Sequence, residues 1–279
     1  MTAIYADLPP ETTGFPSPLG IELAGDTTPR LHFEPDVHTD APESRHTTDL
    51  LAVAREPDAI SKASMPQTLY HVYRNVRTTE AMHEEVTRRG LCYTLMVLRD
   101  GTIHDTPEWV RTRGHTNSLA PGTNLPYPEI HELLHGEACL YLQHGVTDGV
   151  DDVVILPLRA GDKAVVAPGW ASLLANVGAE PLVVGTWRMG DCHTEHTELV
   201  AQGGMAHFLV RGGNGTPLFE ANNRYKVVPE PRIAAPKELP DWGLTRAEPL
   251  LAAFHRSPES LRCLLRPQDF ADVWKTLYD

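Results

Sequence analysis

The stretch that decides the fold runs from Gly114-His115-Thr116-Asn117 and Glu129 to Ala167-Pro168-Gly169-Trp170-Ala171-Ser172-Leu173-Leu174-Ala175-Asn176. Within it, short apolar segments are separated by turns that contain Gly, Gly-Asp or Pro-Gly. Short segments at this spacing predict an antiparallel β barrel or sandwich rather than a parallel α/β sheet. A His and a Glu on such strands are typical of a small barrel with a metal ion in its mouth.

Strands are predicted across the whole middle of the chain. Upstream, Thr68–Arg74 alternates and places Tyr70, Val72 and Arg74 on one face. Glu80–Arg89 is expected to be a loop or short helix that ends at Gly90. The remaining strands are predicted at Leu91–Leu98, Glu129–Leu134, Ala138–His144, Val153–Leu158, Lys163–Ala167, Ser172–Asn176, Leu182–Trp187, Phe208–Arg211 and Pro217–Glu220.

Both ends of the chain have a different texture. The first 44 residues are rich in Pro, Thr, Asp and Gly and predict an extended arm with one short strand near Leu19–Ala24. A short helix is expected within Arg45–Glu56, with its N-cap at Thr47 or Thr48 and its end at Pro57. Near the C-terminus, Gln268–Tyr278 predicts an amphipathic helix. We therefore expect an arm with a short helix (1–65), a barrel (66–230) and a C-terminal helical extension (231–279).

Composition excludes several classes of protein. Of 279 residues, 41% are hydrophobic, which is enough for a sizeable core. A formal charge of −13 repels a phosphate backbone, so nucleic-acid binding is not expected. The four cysteines form no CxxC pair, which argues against a zinc ribbon or redox motif. Neither a signal peptide nor a long apolar run is found, so a cytoplasmic protein without membrane contact is expected.

The order of these motifs resembles the cupin-type glucose-6-phosphate isomerases. The similarity runs from about Arg45 to Tyr278 and includes Thr112-Arg113-Gly114-His115, Tyr141-Leu142-Gln143 and Asn176-Val177-Gly178-Ala179-Glu180-Pro181. It implies a mainly β cupin, a double-stranded β-helix or jelly-roll barrel, with an N-terminal arm and C-terminal helices. It also implies an aldose–ketose isomerase and a homodimer.

The resemblance implies a metal site that this chain changes. The family's ligands are two His two residues apart, a Glu and a further His. They correspond to His115, Asn117, Glu129 and Ser172, so two ligand positions hold an amide and a hydroxyl, which bind transition metals weakly. A family tyrosine falls at His131, another at or beside Arg188, and a phosphate-binding Thr falls at Met96. The phosphate positions Thr112 and Gly114 and the pocket position Tyr70 are kept.

Three alternatives stay open for this site. In the first, His115, Glu129 and His131 form a rebuilt 2-His-1-carboxylate site for Fe, Mn, Ni or Zn, with Asn117, Ser172, His193 and His196 as further candidate ligands. In the second, a metal-free barrel binds a small anion through His115, Arg188 and Thr112. In the third, the site is vestigial. His131 points inward only if the register of its strand is the predicted one, and His193 and His196 are solvated residues in the alternative interpretation.

The resulting hypothesis is an aldose–ketose isomerase or epimerase that acts on a sugar phosphate or a related small anion. Glu129 is the expected base, with a pKa raised by its apolar surroundings, and His115 and His131 complete the catalytic set. Tyr70, Thr112, Gly114, Arg188 and His196 are the expected substrate contacts. The alternatives are a diverged cupin lyase, cyclase or Fe-dependent oxygenase, or a metal-free binding protein.

Overall fold

The computed structural model describes residues 22–24, 29–147 and 149–279. Two sheets hold most of the core. The strands, in chain order, are β1 (Glu22–Ala24), β2 (Arg30–His32), β3 (Glu43–His46), β4 (Thr68–Tyr73), β5 (Leu91–Leu98), β6 (Thr116–Asn117), β7 (Glu129–His135), β8 (Glu137–His144), β9 (Asp152–Arg159), β10 (Lys163–Val166), β11 (Trp170–Asn176), β12 (Leu182–Met189), β13 (Thr194–Glu195), β14 (His207–Arg211), β15 (Pro217–Ala221) and β16 (Arg232–Ile233).

The larger sheet has the strand order β10-β7-β12-β5-β4-β3, and the smaller has the order β11-β8-β9-β16. All neighbours pair antiparallel except β16, which runs parallel to β9. The chain passes back and forth between the sheets, from β7 in the larger to β8 and β9 in the smaller and back to β10. This is the jelly-roll arrangement, and the predicted fold class of a mainly β cupin is confirmed.

Helices lie before, within and after the barrel strands. They are α1 (Pro57–Lys62), α2 (Glu80–Arg89), α3 (Thr197–Ala201), α4 (Leu250–Arg256), α5 (Arg262–Leu265) and α6 (Ala271–Thr276), joined by short 3-10 turns. The C-terminal helices cover the outer face of the larger sheet, where Trp187 stacks between Tyr93 and Phe254. No helix within the described residues is long and apolar enough to cross a membrane.

The structure corrects three local predictions. Thr47–Val53 is a 3-10 helix whose N-cap is His46, and Pro57 begins α1 instead of ending the preceding helix. A proline fits the first turn of a helix because the amide hydrogen it lacks would have no partner there. The C-terminal helix is shorter than predicted, since a 3-10 turn occupies Pro267–Phe270 before α6.

Two further predictions concern boundaries. The strand expected near residues 19–24 lies outside the described residues except for β1, which pairs with β2. The division at residues 65/66 and 230/231 stays a prediction. β3, which precedes the first division, hydrogen-bonds to β4 of the larger sheet. β16, which follows the second division, hydrogen-bonds to β9 of the smaller sheet.

Candidate functional site

A cavity of about 310 Å³ opens between the two sheets. Its larger wall is the inner face of the six-stranded sheet, and its opposite wall is β11 with the chain segment 112–115. The residues that line it are Arg45, Asp49, Tyr70, Val72, Arg74, Thr94, Met96, Thr112, Arg113, Gly114, His115, Glu129, His131, Leu140, Ser172, Leu174, Thr186, Arg188, Thr194 and His196.

The sheet wall follows from the period of two in a β-strand. Glu129 and His131 are two apart on β7 and therefore face the cavity together, as the sequence predicts. On β12 the alternation does the same for Thr186 and Arg188, because Thr186 lies opposite His131 in the paired strand. The hydroxyl of Thr186 hydrogen-bonds to Nδ1 of His131 at 2.9 Å and holds this ring in place.

The opposite wall is built by backbone pairing with β11. The amide of His115 donates to the carbonyl of Ser172 at 3.0 Å, and the amide of Ser172 donates back at 2.9 Å. The amide of Leu174 donates to Oγ1 of Thr112 at 3.0 Å. Between them Gly114 adopts a φ of +84°, which turns the chain so that His115 faces the cavity. The local sequence thus fixes where the imidazole stands.

Glu129 is the centre of a cluster of positive and polar groups. Only 2% of this residue is exposed. Nε2 of His115 lies 3.2 Å from Oε2 of Glu129, and Nε2 of His131 lies 3.8 Å from the same oxygen. The other carboxylate oxygen, Oε1, lies 3.7 Å from Nη1 of Arg188. The structure therefore brings together the three residues that the sequence proposed as catalytic, with Arg188 beside them.

The pKa of Glu129 differs from the sequence-based expectation. Burial raises it, but His115, His131 and Arg188 outweigh burial and lower the pKa of Glu129 to about 2. Burial also lowers the pKa of His131, so this imidazole is neutral at neutral pH. The guanidinium of Arg188 is then the permanent positive charge beside the carboxylate. The prediction of a raised pKa was wrong, because the sequence could not show that three cationic or polar groups converge on one carboxylate.

Two more histidines were candidates for this site. Nδ1 of His196 lies 2.7 Å from the carbonyl oxygen of Gly114. Because a carbonyl only accepts, this nitrogen carries the proton, and the neutral ring keeps a lone pair on Nε2. His196 lines the cavity, and burial lowers its pKa. His193 is exposed and is absent from the cavity lining.

The family comparison agrees with this geometry. A family model described as glucose-6-phosphate isomerase (GPI) matches residues 44–226, which is more than half of the chain. The chain belongs to this family. The match covers the cavity-lining residues from Arg45 to His196, and so includes both walls of the site.

Solved structures show weaker similarity to this GPI-family chain. Vicilin from Capsicum annuum is 11% identical with a TM-score of 0.33, over 45% of this chain and 30% of the vicilin. An oxalate oxidase in complex with the substrate analogue glycolate is 15% identical with a TM-score of 0.27, over 35% and 41% of the two chains. The Drosophila melanogaster CENP-C cupin domain is 14% identical with a TM-score of 0.28, over 42% and 67%.

The matched part of the chain spans less than half the length of the vicilin and of the oxalate oxidase. Among curated proteins, none matches this GPI-family chain.

The residues present do not fit the metal site that the family resemblance implies. Asn117 is not among the cavity residues, because its side-chain amide is turned to the carbonyl of Tyr127 at 2.9 Å. Ser172 lines the cavity but offers only a hydroxyl, which binds such ions weakly. Glu129 already faces the guanidinium of Arg188. Within the described residues, no three His, Cys, Asp or Glu side chains are arranged to hold a metal ion.

Sequence reasoning missed the arginines at the far end of the cavity. Arg45, Arg74 and Arg113 line it together with Asp49, although the chain as a whole carries a net charge of −13. Arg45 and Arg74 both form ion pairs with Glu43.

Arg113 forms no ion pair within the part of the chain that the structure describes, and its Nε is buried without a hydrogen-bond partner. Its position between Thr112 and Gly114, the two positions that the family resemblance assigns to phosphate, was the available indication of a role.

Proposed function

We propose that this protein is an aldose–ketose isomerase that acts on a sugar bearing an anionic group, with Glu129 as the group that moves the proton. One observation carries the proposal. An ionised and buried carboxylate faces the cavity beside a guanidinium, and the lining also includes Arg113, a cation that forms no ion pair among the described residues. Membership in the GPI family makes isomerisation the chemistry to test first.

The anionic group belongs at the Arg113 end. The backbone of Arg113 lies against Tyr70 on β4, whereas His115 reaches Glu129 on β7. In the sheet, β4 and β7 are three strand spacings apart, roughly 14 Å along the curved surface. A guanidinium binds a phosphate through two parallel hydrogen bonds, which is the strong form of anion recognition. A sugar phosphate bound at Arg113 would extend its other end toward Glu129.

Proton transfer belongs at the Glu129 end. With a pKa of about 2, Glu129 is ionised at neutral pH and is in the form that accepts a proton from carbon. His115 donates its Nε2 hydrogen to this carboxylate, which fixes the orientation of both groups. The low pKa also makes the carboxylate a weak proton acceptor. That property favours a second candidate function, a metal-free protein that binds a sugar phosphate without converting it.

Loss of the C2 proton in deuterated water distinguishes the two functions. Proton NMR would follow the C2 hydrogen of a panel of phosphorylated aldoses, the C1 hydrogens of the corresponding ketoses, and the same positions of these sugars without phosphate. The isomerase predicts exchange with at least one phosphorylated sugar, and a rate lowered by about 10²- to 10⁴-fold in Glu129→Gln. An epimerase gives the same exchange but returns the other C2 epimer.

The matched control is Arg256→Gln, which removes a charge from an exposed ion pair with Glu248 outside the cavity. This variant should exchange at the rate of the unmodified protein. Calorimetric binding of a sugar phosphate without any exchange would establish the binding function and reject the isomerase. Exchange that survives Glu129→Gln would reject Glu129 as the proton carrier. The predicted homodimer is independent of these outcomes.

A further inference from the structure

Arg188 is placed beside Glu129 by the register of the sheet. On β12, Trp187 lies opposite Ile130 and Thr186 lies opposite His131, so the next step of the antiparallel ladder sets Arg188 opposite Glu129. The side chain is 15% exposed and Nη1 lies 3.7 Å from Oε1. The contact therefore follows from backbone pairing and does not depend on a surface rotamer.

The charge of Arg188 is fixed and only partly used. A guanidinium stays protonated at any working pH and offers five N–H donors. In the described residues Arg188 makes one ion pair, with Glu129, and that contact is longer than a hydrogen bond. Donors of this side chain are left over on the cavity side for the oxygen of a ligand.

Two positions that would hold a metal ion in the family are altered in the same site. Asn117 is turned away and Ser172 is a weak ligand, as described above. The positive charge that would steady a developing oxyanion must then come from another group. We propose that Arg188 is that group, and that it replaces the metal ion as the fixed positive charge of this active site. The inference rests on the proposed isomerase function.

The reaction balances with groups that the chain supplies. Glu129 takes the proton from C2, the electron pair of the C2–H bond forms the C1=C2 double bond, and the carbonyl electrons move to O1. Arg188 donates N–H groups to the negative O1. A proton then passes from the C2 hydroxyl to O1, Glu129 returns its proton to C1, and the electrons on O2 form the ketone. Neither an oxidant nor a second reactant is needed.

An activity test addresses Arg188 in protein stripped of metal by chelation, with residual metal measured. The stripped protein should still exchange the C2 proton. Arg188→Gln should lower the rate by about 100-fold or more, as expected when one donor to an oxyanion is removed. Arg188→Lys keeps the charge but loses the planar guanidinium, so its exchange rate should lie between those of the stripped unmodified protein and Arg188→Gln. Guanidinium ion added to Arg188→Ala should restore part of the rate, which a purely structural role would not allow.

The outcomes separate the two proposals. If the unmodified protein, with metal present, exchanges no candidate sugar, the isomerase function fails and the role of Arg188 falls with it. If that protein is active but chelation abolishes exchange and one equivalent of metal restores it, the isomerase stands and the role of Arg188 is overturned. A rate in Arg188→Gln within about threefold of the unmodified protein overturns it as well. Arg256→Gln is again the control.

A second readout needs no substrate. Titration with Mn²⁺ and Zn²⁺ would compare the unmodified protein, Asn117→His/Ser172→His, and the same pair with Arg188→Gln. If Arg188 holds the place of the cation, the unmodified protein binds less than about one-tenth equivalent, and Arg188→Gln raises the affinity of the double variant by at least tenfold. Tight binding of one equivalent by the unmodified protein, or no gain on removing Arg188, would contradict the inference.

Discussion

Strand β7 carries two buried glutamates on opposite faces, and they differ in almost every other respect. Glu132 faces the C-terminal extension and is fully engaged. Its two oxygens share the single amide hydrogen of Leu250, at 2.9 and 3.1 Å from the nitrogen, and one of them pairs with Nζ of Lys163 at 3.1 Å. Glu129 faces the cavity, where its contacts with His115, His131 and Arg188 lie between 3.2 and 3.8 Å.

The pKa values of the two carboxyl groups move in opposite directions. Burial raises the pKa of Glu132, and Lys163 and the amide of Leu250 counteract only part of this rise. At Glu129, His115, His131 and Arg188 together outweigh burial. Burial of a carboxylate therefore does not by itself indicate catalysis. What distinguishes Glu129 is that its partners are loose and that it borders a cavity, so a ligand can take their place.

The largest effect on stability is expected from Glu132→Gln. This change leaves the ammonium group of Lys163 buried without its counter-charge, because only 3% of the Lys163 side chain is exposed. Breaking a buried ion pair in this way costs about 3–5 kcal/mol. Chemical denaturation at neutral pH would measure the free energy of unfolding.

The matched variant is Glu129→Gln. It should lower the free energy of unfolding at neutral pH by about 3 kcal/mol, because a pKa lowered from 4.5 to about 2 means that the folded protein stabilises the ionised carboxylate. A loss of less than about 1 kcal/mol for Glu129→Gln would contradict the lowered pKa of this carboxyl group.

A smaller effect is expected for anion binding at the other end of the cavity. Arg113→Gln should weaken binding of inorganic phosphate by about 1.5 kcal/mol, or roughly tenfold, since a charged hydrogen bond is lost. Arg45→Gln should weaken it less, because Arg45 is already paired with Glu43. Isothermal titration calorimetry would compare the two. A greater loss for Arg45→Gln would move the anion site away from Arg113.

The sequence predicted the fold well, because alternating apolar and polar residues and Gly-bearing turns indicate where the barrel strands lie. The strand from Leu91 to Leu98 has the predicted bounds. The helix boundaries near Pro57 were harder to predict, since a proline can follow the end of one helix or begin the next. Asp-Gly is typical of a hairpin turn, but the strand before Asp100-Gly101, β5, pairs with β4 and β12 on either side. A turn dipeptide does not determine which strand becomes the neighbour.

The site was predicted in part. His115, Glu129 and His131 converge because one motif and a period of two place them together, and both are visible in sequence. The effect of Arg188 on Glu129 depends on pairing between β7 and β12, and these two residues are more than fifty positions apart in the chain. That Arg113 has no ion-pair partner among the described residues could not be predicted without knowing where the carboxylates of the barrel lie.

The measurement that tests this account most directly is the titration of the two glutamate carboxyls on β7. Carbon-13 NMR of selectively labelled protein would assign them by comparison with Glu129→Gln and Glu132→Gln. A lowered pKa means that Glu129 stays ionised as the pH falls toward 2. A raised pKa means that Glu132 takes up its proton above the usual glutamate pKa of about 4.3. The account predicts that Glu129 is ionised and Glu132 protonated at pH 3.5. A Glu129 that takes up its proton above pH 4.5, or before Glu132, would contradict the claim that Arg188 and the two histidines hold it as the working carboxylate.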